Sequence, residues 1–260
     1  MLQASLRADA ADLSLLPATN RWGYFPAVSV GWTVSEEKFF APLKDHVSSL
    51  KLRASWGQNG SLAALSGYAY STDMALGGLY PFVMGNSYIT SAAPSTMGND
   101  ELKWETSEQI NVGIDARFLN DRLTSSMDYF DKKTKDLLVS GTTPSLIIGG
   151  STSPMNAGNV TNKGFEFEAG WKDKAGDFNY SVTANLATLK NEVTYLDPHV
   201  SGGRIEGATT MASNGSFSAF EVGYPVWYSE AIRSIIWMTR AIPYSGIIRV
   251  TVPLMPVTRR

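Results

Sequence analysis

The chain has no cysteine, which excludes disulfides and thiolate metal sites. Its two histidines, His46 and His199, lie far apart with no ligand spacing around them, and both read as solvated loop residues. No run of about 18 apolar residues occurs, so no transmembrane helix is expected. Residues 1–4 lack the basic segment and the apolar core of roughly 7–15 residues that mark a signal peptide. Charge is scarce, at 18% of residues against about 25% in an ordinary soluble domain. A net charge of −2 leaves no electrostatic footprint for nucleic acid, which is not an expected partner. Nucleophile elbow, phosphate loop and metal spacing are all missing. The expectation is therefore no catalytic residue, no cofactor-binding residue, no metal site and no cofactor, in a chain that is not an enzyme.

What the sequence has in quantity is alternation. Ile110, Val112, Ile114, Ala116 and Phe118 are apolar, and Asn111, Gly113, Asp115 and Arg117 between them are small or polar. Successive side chains on a strand point to opposite faces, so residues 110–118 form a strand with one greasy face and one wet one. Asn120 and Asp121 suit the left-handed backbone of a tight turn over residues 119–122. Alternation resumes with Leu123, Ser125, Met127 and Tyr129, which makes the unit an antiparallel hairpin. The same period marks strands beginning at Leu2, Ala27, Leu50, Phe165 and Phe178. A helical turn is expected near Glu36, and long loops over residues 59–103, 140–162 and 197–218.

Two regularities narrow the fold class. Within the alternating cores no apolar-face residue is charged, whereas the other face carries Arg7, Asp9, Lys51, Arg53, Asp115, Arg117, Asp128, Glu166 and Glu168. Tight turns at 119–122 and 172–177 fall at one end of the strands, and every long loop falls at the other. Together with strands of about 9–11 residues, that sorting describes an antiparallel, up-and-down transmembrane β-barrel. Trp32, Phe118, Trp171, Phe178 and Tyr180 would make an aromatic girdle at the turn end, and Tyr24, Trp56 and Trp104 one at the loop end. The alternative is a soluble β-sandwich binding or adhesion module with long ligand-binding loops, in which the same apolar face is a core. One detail fits the barrel poorly: the apolar run on residues 123–129 is short, and Asp131, Lys133 and Lys135 follow on the same face.

Few residues suggest chemistry. Glu166 and Glu168 share a face, as a carboxylate pair would in a glycosidase, but the wet face of any alternating strand does the same. The loop tyrosines Tyr68, Tyr70, Tyr80 and Tyr88 are placed either to stack on sugar or peptide or to pack the loop onto itself. Ligand-binding residues are unknown at this level.

The phrases NRWGYFPAVSVGWTVSEEKFF, LKLRASWGQNG, GNDELKWETSEQINVGIDARFLNDRLTSSMDYFDKKTKDLL, NAGNVTNKGFEFEAGW and FNYSVTANLATLKNEVTYL resemble, in order, the SusC/RagA-type TonB-linked outer-membrane receptors. The likeness runs from Leu2 to the segment EVGYPVWY ending at Tyr228. It implies a plugged, 22-stranded barrel in the cell outer membrane, importing glycan or peptide fragments. By the same resemblance the partners are outer-membrane lipid, a SusD-like surface lipoprotein and the TonB complex. The family's signal peptide, plug and TonB box have no counterpart in these residues. The expectation is thus a fragment of about 7–8 barrel strands, an open curved sheet when isolated and by itself not a competent transporter. A truncated or disrupted gene product without activity of its own is a compatible third reading.

Residues 1–228 are the expected barrel part. Residues 229–260 leave the family pattern and carry +4 of a chain whose net charge is −2, so that residues 1–228 carry −6. They read as a divergent basic tail with an out-of-frame or disrupted origin, a strand at 247–252 and a short helix at 232–238.

Overall fold

The computed structural model describes residues 1–76, 82–84, 87–89, 92–139, 150–198, 200, 203–206, 216–231 and 249–251. Of residues 82–84, 87–89, 206, 216–217, 229–231 and 249–251 it describes the backbone only. His199, Tyr80 and the expected helix at 232–238 lie outside these residues.

Seven long strands follow one another in chain order: β1 (Leu2–Ala10), β2 (Trp22–Thr33), β3 (Val47–Ser61), β4 (Glu105–Phe118), β5 (Leu123–Val139), β6 (Met155–Ala175) and β7 (Phe178–Leu196). All belong to one open antiparallel sheet in which every strand pairs with its sequence neighbour. The segment Arg249–Thr251, inside the strand expected at 247–252, pairs with β7 at Thr183–Asn185. The expected up-and-down order is therefore present. Among the described residues no helix is long and apolar enough to cross a membrane.

Turns are as tight as the pattern implies. β4 and β5 are joined through Leu119, Asn120 and Asp121, all left-handed with φ of 54°, 54° and 64°. Asn and Asp tolerate that backbone well and leucine poorly. β6 and β7 meet at Gly176, φ +62°, where a glycine carries no Cβ to clash. The medium connector between β2 and β3 holds two 3₁₀ turns, Val34–Glu36 and Lys38–Leu43, in place of the single turn expected near Glu36.

Several strands outrun their apolar patterns. β6 starts at Met155, so the last third of the loop expected at 140–162 is strand, and β5 continues to Val139. The reason is environment: where both faces of a strand are wet or packed under loops, as at the buried Ala157, Val160 and Val139, alternation disappears although the hydrogen-bonded ladder does not. The loop expected at 59–103 likewise contains short strands at Asp73–Leu76, Phe82–Met84, Ser87–Ile89 and Ala92–Met97.

The buried core lies away from the middle of the sheet. Val139, Ala157, Val160, Val193, Leu196, Val200 and Phe220 form one cluster, and Ala11, Leu16, Ala69, Leu102 and Leu138 a second. Both sit at the loop end of the strands. In the first, register shifts at Asn156–Gly158 and Asn159–Val160 interrupt the alternation, and Val160 and Val193 are buried there. The apolar face itself has no cover: Leu6 is 71% exposed, Val112 49% and Ile114 41%. A sandwich would bury those side chains against a second sheet, and none of the described elements does so.

Candidate transport wall: an apolar outer face and a polar inner face

Register fixes which side chains share a row. Trp32 pairs with Leu52, Leu52 with Ile114, Ile114 with Met127, Met127 with Phe167 and Phe167 with Leu186. Six strands thus place an apolar side chain in one continuous row of the outer face. The lower limit of the apolar band is Trp32 on β2, but on β7 it is Phe178, eight positions beyond Leu186. A slide of that size over five strand-to-strand steps is about 1.6 residues per step. With a rise of about 3.4 Å per residue and a spacing of about 4.8 Å, the strands cross the band at roughly 45–50°. Strands of transmembrane barrels tilt by about 35–45°. The upper limit slides the same way: Trp22 and Tyr24 stand exposed on β2, while charge begins at Glu108 on β4, Asp131 on β5 and Lys190 on β7. The short apolar run at 123–129 is this slope seen on one strand.

Aromatic rings edge the band. Trp32 donates its indole N–H to Glu37 Oε1 at 3.1 Å and packs edge-on against Phe39, with centroids 6.4 Å apart. Trp56 donates to Glu108 Oε1 at 2.9 Å at the opposite limit. An apolar ring with a polar tip suits such a boundary. Trp104 departs from the expected girdle. It packs against Phe25 at 5.5 Å and borders the buried cluster under the loops, with its N–H on the Arg21 carbonyl at 3.2 Å. Trp22, which the alternation did not single out, joins Tyr24 instead.

The inner face is polar and cross-linked. Arg53 on β3 grips Asp115 on β4 through Nε (2.7 Å) and Nη2 (2.9 Å), then reaches Asp128 on β5 at 3.0 Å. Ser126 Oγ lies 3.1 Å from Asp115 and 3.2 Å from Asp128 as a shared donor. Arg53, Gly113 and Asp128 occupy one row, so the guanidinium crosses β4 directly above a residue with no side chain. A Cβ on Gly113 would fall 2.2 Å from Asp128 Oδ1 and 2.9 Å from Arg53 Nη2. Gly113→Ala should therefore cost about 1 kcal/mol, the scale of a partly exposed ion pair. In urea unfolding, Gly113→Ala and Arg53→Met should lose less together than the sum of their single losses, because both break the same bridge. Additive losses would show that the glycine does not serve the bridge.

Toward the loop end the inner face holds a groove of about 440 Å³ lined by Gln3, Ser5, Ser55, Asn59, Gln109 and Asn111, with Lys132 at its edge. These amides and hydroxyls suit neutral polar ligands or water. Glu166 faces Asp128 and Ala187, and Glu168 faces Ser126 and Asn185, both exposed. His46 donates its backbone N–H to Leu43 O at 3.1 Å in the turn-end connector. Tyr70 donates its hydroxyl to Leu13 O at 2.8 Å and packs the loop onto the buried cluster beside Leu16 and Leu102. Tyr68 lies 6.3 Å from it, 57% exposed. The side chain of Tyr88 lies outside the described residues. No grouping of His, Asp and Glu among those residues could hold a metal ion.

Residues 1–241 match the family model described as TonB dependent receptor-like, beta-barrel. The chain belongs to that family. Among curated relatives, TonB-dependent receptor SusC of Bacteroides thetaiotaomicron is 34% identical over 220 residues, covering 79% of this chain and 21% of the relative. TonB-dependent receptor P39 of Formosa agariphila is 34% identical over 198 residues, covering 75% of this chain and 18% of the relative. The chain thus spans about a fifth of the length of these receptors. Among solved structures, the RagAB peptide importer in its closed-closed state superposes with a TM-score of 0.70 over 86% of this chain and 23% of that one, at 23% identity. Its open-open state gives 0.70 over 88% of this chain. Those superpositions establish the fold of a TonB-dependent receptor barrel wall. Family membership explains why an apolar face is left bare and why its limits run obliquely to the strands.

Proposed function

We propose that residues 1–228 are part of the barrel wall of an outer-membrane importer of glycan or peptide fragments. The apolar face of β1–β7 meets lipid, and the polar face lines the lumen. The observation that carries this reading is the uncovered apolar face, uncharged along its middle and limited by edges that cross the strands at the angle of a tilted barrel. Bilayer hydrocarbon offers no partner to backbone polar groups, so strands lying in it must be paired within a closed wall. RagAB, which shares the fold, is described as a peptide importer, and that lends weight to the peptide alternative. A SusD-like surface lipoprotein and the TonB complex are the proposed partners, the first over the loops and the second through a part of the receptor other than these strands. Residues 229–260 are proposed as a divergent tail.

The reading fixes which end faces the medium. The described parts of the connection between β3 and β4 and residues 150–154 lie at the cell surface, and the Leu119–Arg122 turn faces the periplasm. Ser71, Asn120 and Ser151 are exposed, and the chain has no cysteine to give background. Cysteine at position 71 or 151 should react with an impermeant maleimide on intact cells. Cysteine at position 120 should react only after the outer membrane is permeabilised. The reverse pattern would overturn the orientation.

A further inference from the structure

We propose that the outer face of β4–β7, just above the apolar band, is a binding surface for the phosphorylated head groups of outer-leaflet lipid. The proposal rests on the barrel reading above and goes beyond it. Lys133, Lys135, Lys163 and Lys190 all point outward here, in the row where charge begins and in the rows above it. The first of these rows, Asp131, Lys163 and Lys190, borders the apolar band, the next outward residues below being Tyr129, Phe165 and Thr188.

Carboxylates accompany the lysines, but they stand closer to the sheet. Lys135 meets Glu108 at 2.7 Å, Lys190 meets Glu192 at 2.7 Å, and Lys163 meets Asp131 loosely at 3.5 Å. The acid side chains are 24%, 35% and 16% exposed, and their lysines 50%, 77% and 49%. Short carboxylate stems hold negative charge against the sheet, and long lysine stems carry ammonium groups outward. Lys133, also exposed, forms no ion pair within 4 Å among the described residues, so cation is in excess. A group approaching sideways therefore meets ammonium first.

The position selects lipid over a soluble anion. These lysines lie on the outward side, flush with the upper limit of the band, where a head group is held at the height of its own acyl chains. On β2 and β3 the same limit carries Tyr24 and Trp56 without a cation, so the surface is confined to one sector. An exposed lysine near an anionic membrane surface contributes about a fivefold gain in affinity, and the effect fades within a Debye length, about 8 Å at physiological salt.

The test uses the complete receptor, purified from outer membranes in mild detergent and placed in nanodiscs of phosphatidylcholine with or without lipid A. Wild type should bind lipid A, and the triple variant Lys133→Glu, Lys163→Glu, Lys190→Glu should bind it at least about tenfold less, as read by mass spectrometry of retained lipid. Free inorganic phosphate at millimolar concentration should not compete; full competition would show an anion site rather than a lipid surface and overturn the proposal. The pair Lys172→Glu, Lys174→Glu at the turn end should retain lipid A like wild type. Equal retention by wild type and the triple variant, with both still in the outer membrane and heat-modifiable, would overturn the lipid surface alone. A wild-type receptor absent from the outer membrane would overturn the barrel reading as well.

Discussion

Ile114→Arg in the complete receptor is expected to lower folding stability by roughly 2–4 kcal/mol, and Asn111→Arg by much less. Ile114 sits centrally in the outer-face stripe from Ile110 to Phe118, in the row with Leu52, Met127 and Phe167. An arginine there has only lipid and aliphatic side chains as neighbours, and its charge must be drawn to an interface or hydrated locally. Asn111 lies three positions away on the opposite face, beside Gln109, whose amide it already accepts at 2.9 Å. An arginine at that position meets the polar groove and water. Equilibrium unfolding from phospholipid vesicles measures both. Equal losses at the two positions would mean that the faces do not differ in what they contact.

The 260-residue chain expressed alone is expected to give no closed pore. A barrel of about eight strands has an interior just wide enough for side chains, since closure ties strand number to shear, tilt and lumen width. Arg7, Lys51, Arg53, Asp115, Arg117, Asp128, Glu166 and Glu168 would all be packed into that interior. Arg53 satisfies Asp115 and Asp128, and Arg7 pairs with Asp9 at 2.7 Å. Glu166 and Glu168 have no cation opposite them in register, and an unpaired charge forced out of water is costly. Left open, the sheet keeps the free edge of β1, while among the described residues the outer edge of β7 is paired with backbone at Thr183–Asn185 and at Val193. Unpaired backbone groups cost several kcal/mol each in lipid, and in water such edges invite aggregation. Refolding from inclusion bodies into detergent should therefore yield no heat-modifiable monomer and no conductance in planar bilayers. A protease-resistant monomer with steady single-channel currents would show that the isolated strands can close.

Strand existence was legible in the sequence wherever the two faces of a strand differ in polarity, because there apolar and polar residues must alternate. All seven strand cores, from Leu2 to Leu186, coincide with observed strands of one sheet, except that Val34, the last residue of the second, begins a 3₁₀ turn. The extensions were not legible: on Met155–Asn162 and Asp131–Val139 both faces are wet or packed under loops, so no period of two survives. Trp104 was misplaced for a related reason. Parity along β4 puts it outward, but beyond the band the chain turns under the loops and parity no longer says what a side chain meets. Part of the inner-face bridge could have been found. The turn at residues 119–122 fixes Phe118 opposite Leu123, and counting back along both strands sets Gly113 opposite Asp128. Arg53 could not be added by counting, since a long loop separates β3 from β4 and register across it depends on the fold.

A nitroxide scan along β4 tests the central claim most directly. Single cysteines at Ile110, Val112, Ile114 and Ala116, and at Asn111, Asp115 and Arg117, would be spin-labelled in the complete receptor in vesicles. Their collision rates with oxygen, which dissolves in lipid, and with a water-soluble nickel chelate would then be compared. The account predicts alternation: the first set should favour oxygen and the second the chelate, switching at every residue. Chelate access at both sets, or protection of the first set from both reagents as in a protein core, would contradict it.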